Sequence, residues 1–175
     1  MSLRLPAAAM VLTTLLSPSA GAEVKLATPD ALVIEHRYAI AAGPEAAWAV
    51  LVQPARYWPK EHTWSGDAAN LSLAPQAGGC FCERWTDASV EHGRVIMALP
   101  GRLLRFQGAL GPFQEMAVTG VMTVTLEPRA AGTEAVVTYR LSGDPSQRLG
   151  EMAAIVDPVI HQQFAGFAAL AAGAR

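Results

Sequence analysis

The sequence predicts an α+β fold: a curved antiparallel sheet with a long C-terminal helix packed across it. Three observations carry this. Between residues 32 and 142, apolar residues recur at every second position in short runs broken by Gly, Pro, Asp or Ser. From Leu149 onward the spacing changes to three or four, the period of an amphipathic helix. Within the strand-like runs, Gly93, Gly108 and Gly120 offer places where a sheet can bend.

Taken in order, residues 23–30 read as an irregular lead-in. Residues 32–40 form a strand, with Leu32, Ile34, His36, Tyr38 and Ile40 on one face and Val33, Glu35, Arg37 and Ala39 on the other. Gly43 turns the chain, Pro44 suits the first position of a helix, and Glu45 suits its positive end, so 46–52 is a short helix. Pro54 and Pro59 permit only a brief helix or turn after it. Residues 57–64 are rich in aromatics without a clear period. Residues 70–74 make a brief strand, and 80–86, 90–99 and 103–110 make three more. Gly111-Pro112 interrupts the sheet. Residues 116–127 carry the strongest strand signal, with Met116, Val118, Gly120, Met122, Val124 and Leu126 opposite a threonine-rich face. Residues 133–142 return as its hairpin partner. The last helix places Leu149, Met152, Val156, Ile160, Gln163 and Phe167 on one stripe, with Pro158 as a site for a kink. Such a stripe must be covered, and the strands before it supply the surface.

Composition narrows the function. Of 175 residues, 51% are hydrophobic and 16% charged, which is the composition of a folded domain. The net charge is −2 with no basic stripe, which argues against a nucleic-acid partner. Residues 1–22 read as a secretory signal. Arg4 is the positive start, 5–16 is a short apolar run, and Ala20-Gly21-Ala22 is a small-residue cleavage site. The run falls short of the roughly 20 residues that span a bilayer. Residues 23–175 are then one exported domain, periplasmic or secreted, monomeric and without a transmembrane segment.

The two cysteines, Cys80 and Cys82, are no disulfide framework. Two apart on an extended strand, they are expected to be buried free thiols. A strained disulfide or a share in a metal site are the alternatives. Which face of 80–85 points inward is left open. If Phe81, Glu83 and Trp85 do, Glu83 needs a partner such as Arg94 or Arg105, or a raised pKa. On 90–99 the set Val95, Met97 and Leu99 is the expected inner face, leaving His92 and Arg94 to the other face or the rim. Asp157 and His161, four apart on the last helix, are expected to pair on its solvent side. The sequence contains no nucleophile elbow, phosphate-binding glycine loop or His-Glu-x-x-His. No cofactor or metal is expected.

The order of elements resembles the helix-grip fold of the START-related, polyketide cyclase-like (SRPBCC) superfamily. The resemblance rests on 40–48, where the first strand hands over to a small helix; on Pro54 to Pro59; on Gly78-Gly79 followed by Phe81-Cys82-Glu83; on Pro100-Gly101; on Leu126-Glu127-Pro128 with Gly132-Thr133; and on the C-terminal helix. It covers about residues 31–172, and similar chains are found among exported bacterial proteins. It implies a cavity between sheet and helix that holds a hydrophobic small molecule or lipid. Trp58, His62, Trp64, Glu83, Trp85 and Met122 are the candidate contacts. A polyketide cyclase-like enzyme would need an acid–base pair there, His62 with Glu61 or Glu83. A protein-interaction domain with a filled core is the third reading. Binding rather than catalysis is the expectation.

Overall fold

A computed structural model describes residues 22–174. The signal read at 1–22 therefore lies outside the described residues, except for Ala22. The eight strands are β1 (Ala22–Thr28), β2 (Ala31–Ile40), β3 (Leu71–Leu73), β4 (Cys80–Trp85), β5 (Ala88–Leu99), β6 (Leu103–Gln107), β7 (Thr119–Arg129) and β8 (Gly132–Ser142). The helices are α1 (Pro44–Leu51) and α2 (Ala153–Ala172), with short 3₁₀ turns between elements. All strands join one antiparallel sheet in the order β1-β2-β8-β7-β6-β5-β4-β3. The sheet is curved without closing into a barrel, and α2 packs along its concave side. This is a helix-grip α+β fold.

The alternation in β2, β7 and β8 sets which face is inside. Leu32, Ile34, His36, Tyr38 and Ile40 are all buried. Met122 opposes Tyr139, Val124 opposes Val137, and Leu126 opposes Ala135, so large and small side chains fill the inner face together. On the outer face, Arg37 pairs with Glu35 and Glu134. The helix contributes Val156, Ile160, Phe164, Phe167 and Ala171. Its first turn is the 3₁₀ segment Leu149–Met152, and the α-helix proper starts four residues later than the apolar stripe. Of residues 23–30, read as irregular, 23–28 belong to strand β1. Val24 and Leu26 stay about two-fifths exposed because β1 is an edge with a break in register.

The bend of the sheet follows the three glycines. A Cβ on Gly120 would lie 2.2 Å from the carbonyl oxygen of Gly108, and one on Gly108 would lie 2.1 Å from that of His92. Gly93 is pressed against the Phe106 ring. Backbones therefore approach across β5, β6 and β7 where no side chain fits. Gly120→Ala is expected to cost about 1–3 kcal/mol, because backbone rather than a movable side chain must yield. A urea midpoint equal to wild type would refute this.

Two bulges on β5 overturn most of the inner face expected for it: Val95 is inside as read, but Met97 and Leu99 are not. Phe81 pairs with Gly93 but Cys82 with Glu91, which leaves His92 extra; Val95 pairs with Phe106 but Met97 with Arg105, which leaves Ile96 extra. Each added residue flips the alternation. His92 and Val95 are buried, whereas Met97 and Leu99 are about two-fifths exposed. The strand paired with the His92 bulge carries both cysteines. Cys80 and Cys82 are disulfide-linked with Cα atoms 5.4 Å apart, not the free thiols expected.

Candidate functional site

A cavity of about 290 Å³ lies between the sheet and the N-terminal half of α2. One wall is the segment from Trp58 to Trp64, a second is Leu110 to Phe113, and the third is the helix from Met152 to Gln163. His92 and Tyr139 line it from the sheet. The lining is mostly apolar. At the mouth Trp64 is 49% and Ile155 64% exposed. Behind the Trp58 wall the interior is filled: Trp58 packs on Phe81 and Phe164 at ring separations of 5.2 and 6.2 Å, and Phe81 on Phe106 at 5.5 Å.

Glu83 organises one wall. It is fully buried on β4. Its Oε2 accepts hydrogen bonds from the backbone N–H of Trp64 and from His92 Nε2, each at 3.0 Å, and its Oε1 accepts from the N–H of Ser65. Burial pushes the carboxyl upward, but the bonds from Ser65, Trp64 and His92 together outweigh it and hold Glu83 below the usual carboxylate range. Burial lowers His92, against the partial opposition of Glu83, so a neutral imidazole beside a carboxylate is the favoured state. Neither Arg94 nor Arg105 is the partner. Arg94 pairs with Glu91, and Arg105 donates to Thr123 Oγ1 at 2.9 Å.

The second wall is tied by Tyr139, whose hydroxyl accepts from the N–H of Leu110 at 2.9 Å and donates to the carbonyl of Gly108 at 3.3 Å. On α2, Gln163 is buried and lines the cavity, and its Oε1 has no hydrogen-bond partner among the described residues.

The structure brings Trp58, His62 and Trp64 to the cavity. Trp58 is held by its Nε1–H donating to the carbonyl of His62 at 3.0 Å. His62 Nε2 lies 3.0 Å from Gln162 Oε1, so His62 pairs with neither Glu61 nor Glu83. Glu83 sits one residue behind the lining, reaching the cavity through His92. Trp85 ends β4 opposite Ala88, and Met122 is fully buried in the core; neither reaches the cavity. Sequence reasoning placed His92 on the wrong face and passed over Gln163 and Tyr139. The signal for the latter two was present: each is a polar-tipped residue at an apolar position of its element.

A second buried histidine lies under the helix beyond the cavity lining. His36 is 1% exposed, and its Nε2 is 2.9 Å from Asp157 Oδ1. Neither ring nitrogen makes a well-directed hydrogen bond. Tyr38 donates to the backbone carbonyl of His161 at 3.3 Å, and the His36 and His161 rings are 5.3 Å apart. Asp157 and His161 thus face β2 instead of pairing with each other at the solvent side. The remaining cluster, Cys80, Cys82 and Glu91, brings ligand-type atoms within 4.8 Å, but the two sulfurs are bonded to each other.

The sheet and the long helix are consistent with a cavity-forming binding fold. No protein-family model matches the chain, and no curated protein matches it. Solved structures do. A protein from Rhodobacter sphaeroides is 21% identical with a TM-score of 0.58, over 86% of this chain and 97% of that one. One from Rhizobium leguminosarum is 14% identical with a TM-score of 0.58, over 81% and 95%. The di-domain ARO/CYC StfQ from the steffimycin biosynthetic pathway is 13% identical with a TM-score of 0.57, over 82% of this chain and 51% of that one. At these identities the similarity is one of fold. Among the described residues, no helix is long and apolar enough to cross a membrane.

Proposed function

We propose that the chain is an exported, monomeric binding protein of the SRPBCC type, and that it holds a hydrophobic small molecule between the sheet and α2. The observation that carries this reading is the cavity itself: about 290 Å³, close to the lower size of small-molecule sites, apolar in its lining and with few polar groups. Burying an apolar ligand there gains roughly 25 cal/mol per Å² removed from water. A catalytic reading has one specific observation in its favour. His92 is oriented by a buried carboxylate, the arrangement that positions a general base. The binding reading stands without any reaction.

The test uses the full chain expressed in an exporting bacterial host. The denatured mass of protein from the periplasm is expected to fit a chain starting at Glu23; recovery of the intact chain from the cytosol alone would overturn export. Titration with N-phenyl-1-naphthylamine is expected to saturate at one probe per chain. Val156→Trp, which fills the cavity from α2, is expected to abolish that binding while circular dichroism stays native. Absence of saturable binding, or equal binding by the folded variant, would overturn the cavity reading.

A further inference from the structure

We propose that Cys80, Cys82 and Glu91 form a redox-gated site for a thiophilic divalent cation of the zinc class, closed while the two sulfurs are bonded and opened by their reduction. The site is separate from the cavity, since none of its three residues lines that space.

The register of the sheet builds it. Phe81 and Glu83 point inward on β4 and are buried, so Cys80 and Cys82 share the opposite face. Opposed residues of an antiparallel pair project to the same side. Cys82 opposes Glu91 and Cys80 opposes Arg94, because His92 bulges out of the ladder between Glu91 and Gly93. Without that bulge His92 would stand opposite Cys82, and the carboxylate would turn to the other face. One ligand-type atom from each of Cys80, Cys82 and Glu91 lies within 4.8 Å of the others, and Cys80 Sγ is 3.9 Å from Glu91 Oε2. Arg94 pairs with the Glu91 carboxylate and donates from Nη1 to the carbonyl of Gly78 at 2.9 Å, which holds the carboxylate in place. The cluster is open to water: the Glu91 side chain is 45% exposed, and Cys80 is half-buried.

The donors select the ion. Thiolates favour zinc and its soft neighbours over magnesium or calcium. Zinc takes thiolates at about 2.3 Å and a carboxylate at about 2.0–2.2 Å, and with three protein ligands it keeps its fourth position for water. Two sulfurs bound to one tetrahedral ion in this way stand about 3.8 Å apart. Side-chain rotation reaches that separation from Cα atoms 5.4 Å apart. Charge agrees: two thiolates and Glu91 bring three negative charges and Arg94 one positive, leaving two for a divalent cation to neutralise.

Opening the site takes two electrons and two protons from a dithiol, which becomes a disulfide as Cys80 and Cys82 become thiols. The ion then displaces both thiol protons. Run backwards, with a disulfide as electron acceptor, the same exchange expels the ion.

Cobalt(II) is the probe, because its thiolate charge-transfer absorption reports sulfur ligation directly. The full chain is reduced with tris(2-carboxyethyl)phosphine, freed of it without air, and titrated. The reduced chain is expected to take up one cobalt per chain with that absorption, and zinc is expected to bleach it. The oxidised chain is expected to show none. Glu91→Gln is expected to bind at least about tenfold more weakly, since a direct ligand is worth no less than an outer-shell partner. Cys80→Ser with Cys82→Ser is expected to lose the absorption altogether, with circular dichroism staying native; if that double variant fails to fold, Glu91→Gln decides. A folded reduced chain without thiolate absorption would overturn the proposal. So would loss of the fold on reduction, or an affinity unchanged in Glu91→Gln.

Discussion

Replacing Glu83 by alanine is expected to lower the unfolding free energy by about 3–5 kcal/mol, the range of the large losses that follow when several buried hydrogen-bond donors are orphaned at once. Three donors converge on this carboxylate: two backbone N–H groups and one imidazole. Alanine leaves all three facing a void. Each orphaned buried donor costs about 1–3 kcal/mol, reduced where water can enter. Because the bonds from Trp64 and Ser65 span from the 58–65 segment to β4, their loss also frees one wall of the cavity. Glu83→Gln keeps the volume but turns an N–H₂ toward a donor, so a smaller loss is expected. Urea unfolding monitored by circular dichroism measures both. A loss below about 1 kcal/mol for Glu83→Ala would mean that the network contributes little to the fold.

Stability is also expected to fall as the pH is lowered from 7.5 to 5. Burial lowers both His36 and His92; for His36, Asp157 opposes the shift and His161 adds to it. The unfolded chain takes up protons on these rings below about pH 6.5, while the folded chain resists. The unfolded state then binds more protons, so stability rises with pH through that window and is lost as pH falls below it. The slope is at most about 1.4 kcal/mol per pH unit for each histidine. Glu83, held below its ordinary value, adds a further loss at lower pH, as its carboxylate is protonated. His36→Gln removes one of the two buried rings and is expected to reduce the slope by about half. A urea midpoint flat between pH 7.5 and 5 would show that these rings titrate normally in the fold.

The sequence made much of this architecture legible. In β2, β7 and β8 every second residue is apolar and the ladder is unbroken, so the inner face is written locally. The same holds for α1, introduced by Pro44, and for the stripe of α2. On β5 it failed for a definite reason. The bulges at His92 and Ile96 are properties of pairing with β4 and β6, and a single strand's pattern carries no record of them. The inward order His92, Val95, Ala98 steps by three, which a period-two reading cannot produce. The partner of Glu83 was hidden for the same reason. β1 was missed because its side chains are largely exposed and polar positions interrupt it, so β2 supplies the reason for its extension. At the cavity, the aromatic segment 57–64 was recognisable from composition, but the side chains that complete it come from strands and a helix far away in sequence.

The Cys80–Cys82 bond has a consequence for how redox conditions act on the molecule. It closes a ring across only one intervening residue, so it restrains the unfolded chain by about 1.5 kcal/mol, a small share of what a long-range crosslink contributes. It is a stitch within a strand and not a staple between elements. What it holds is local: the contracted stretch of β4 that lies against the His92 bulge. A bond of this reach joins no two elements of the fold, so any change on reduction starts within β4 itself.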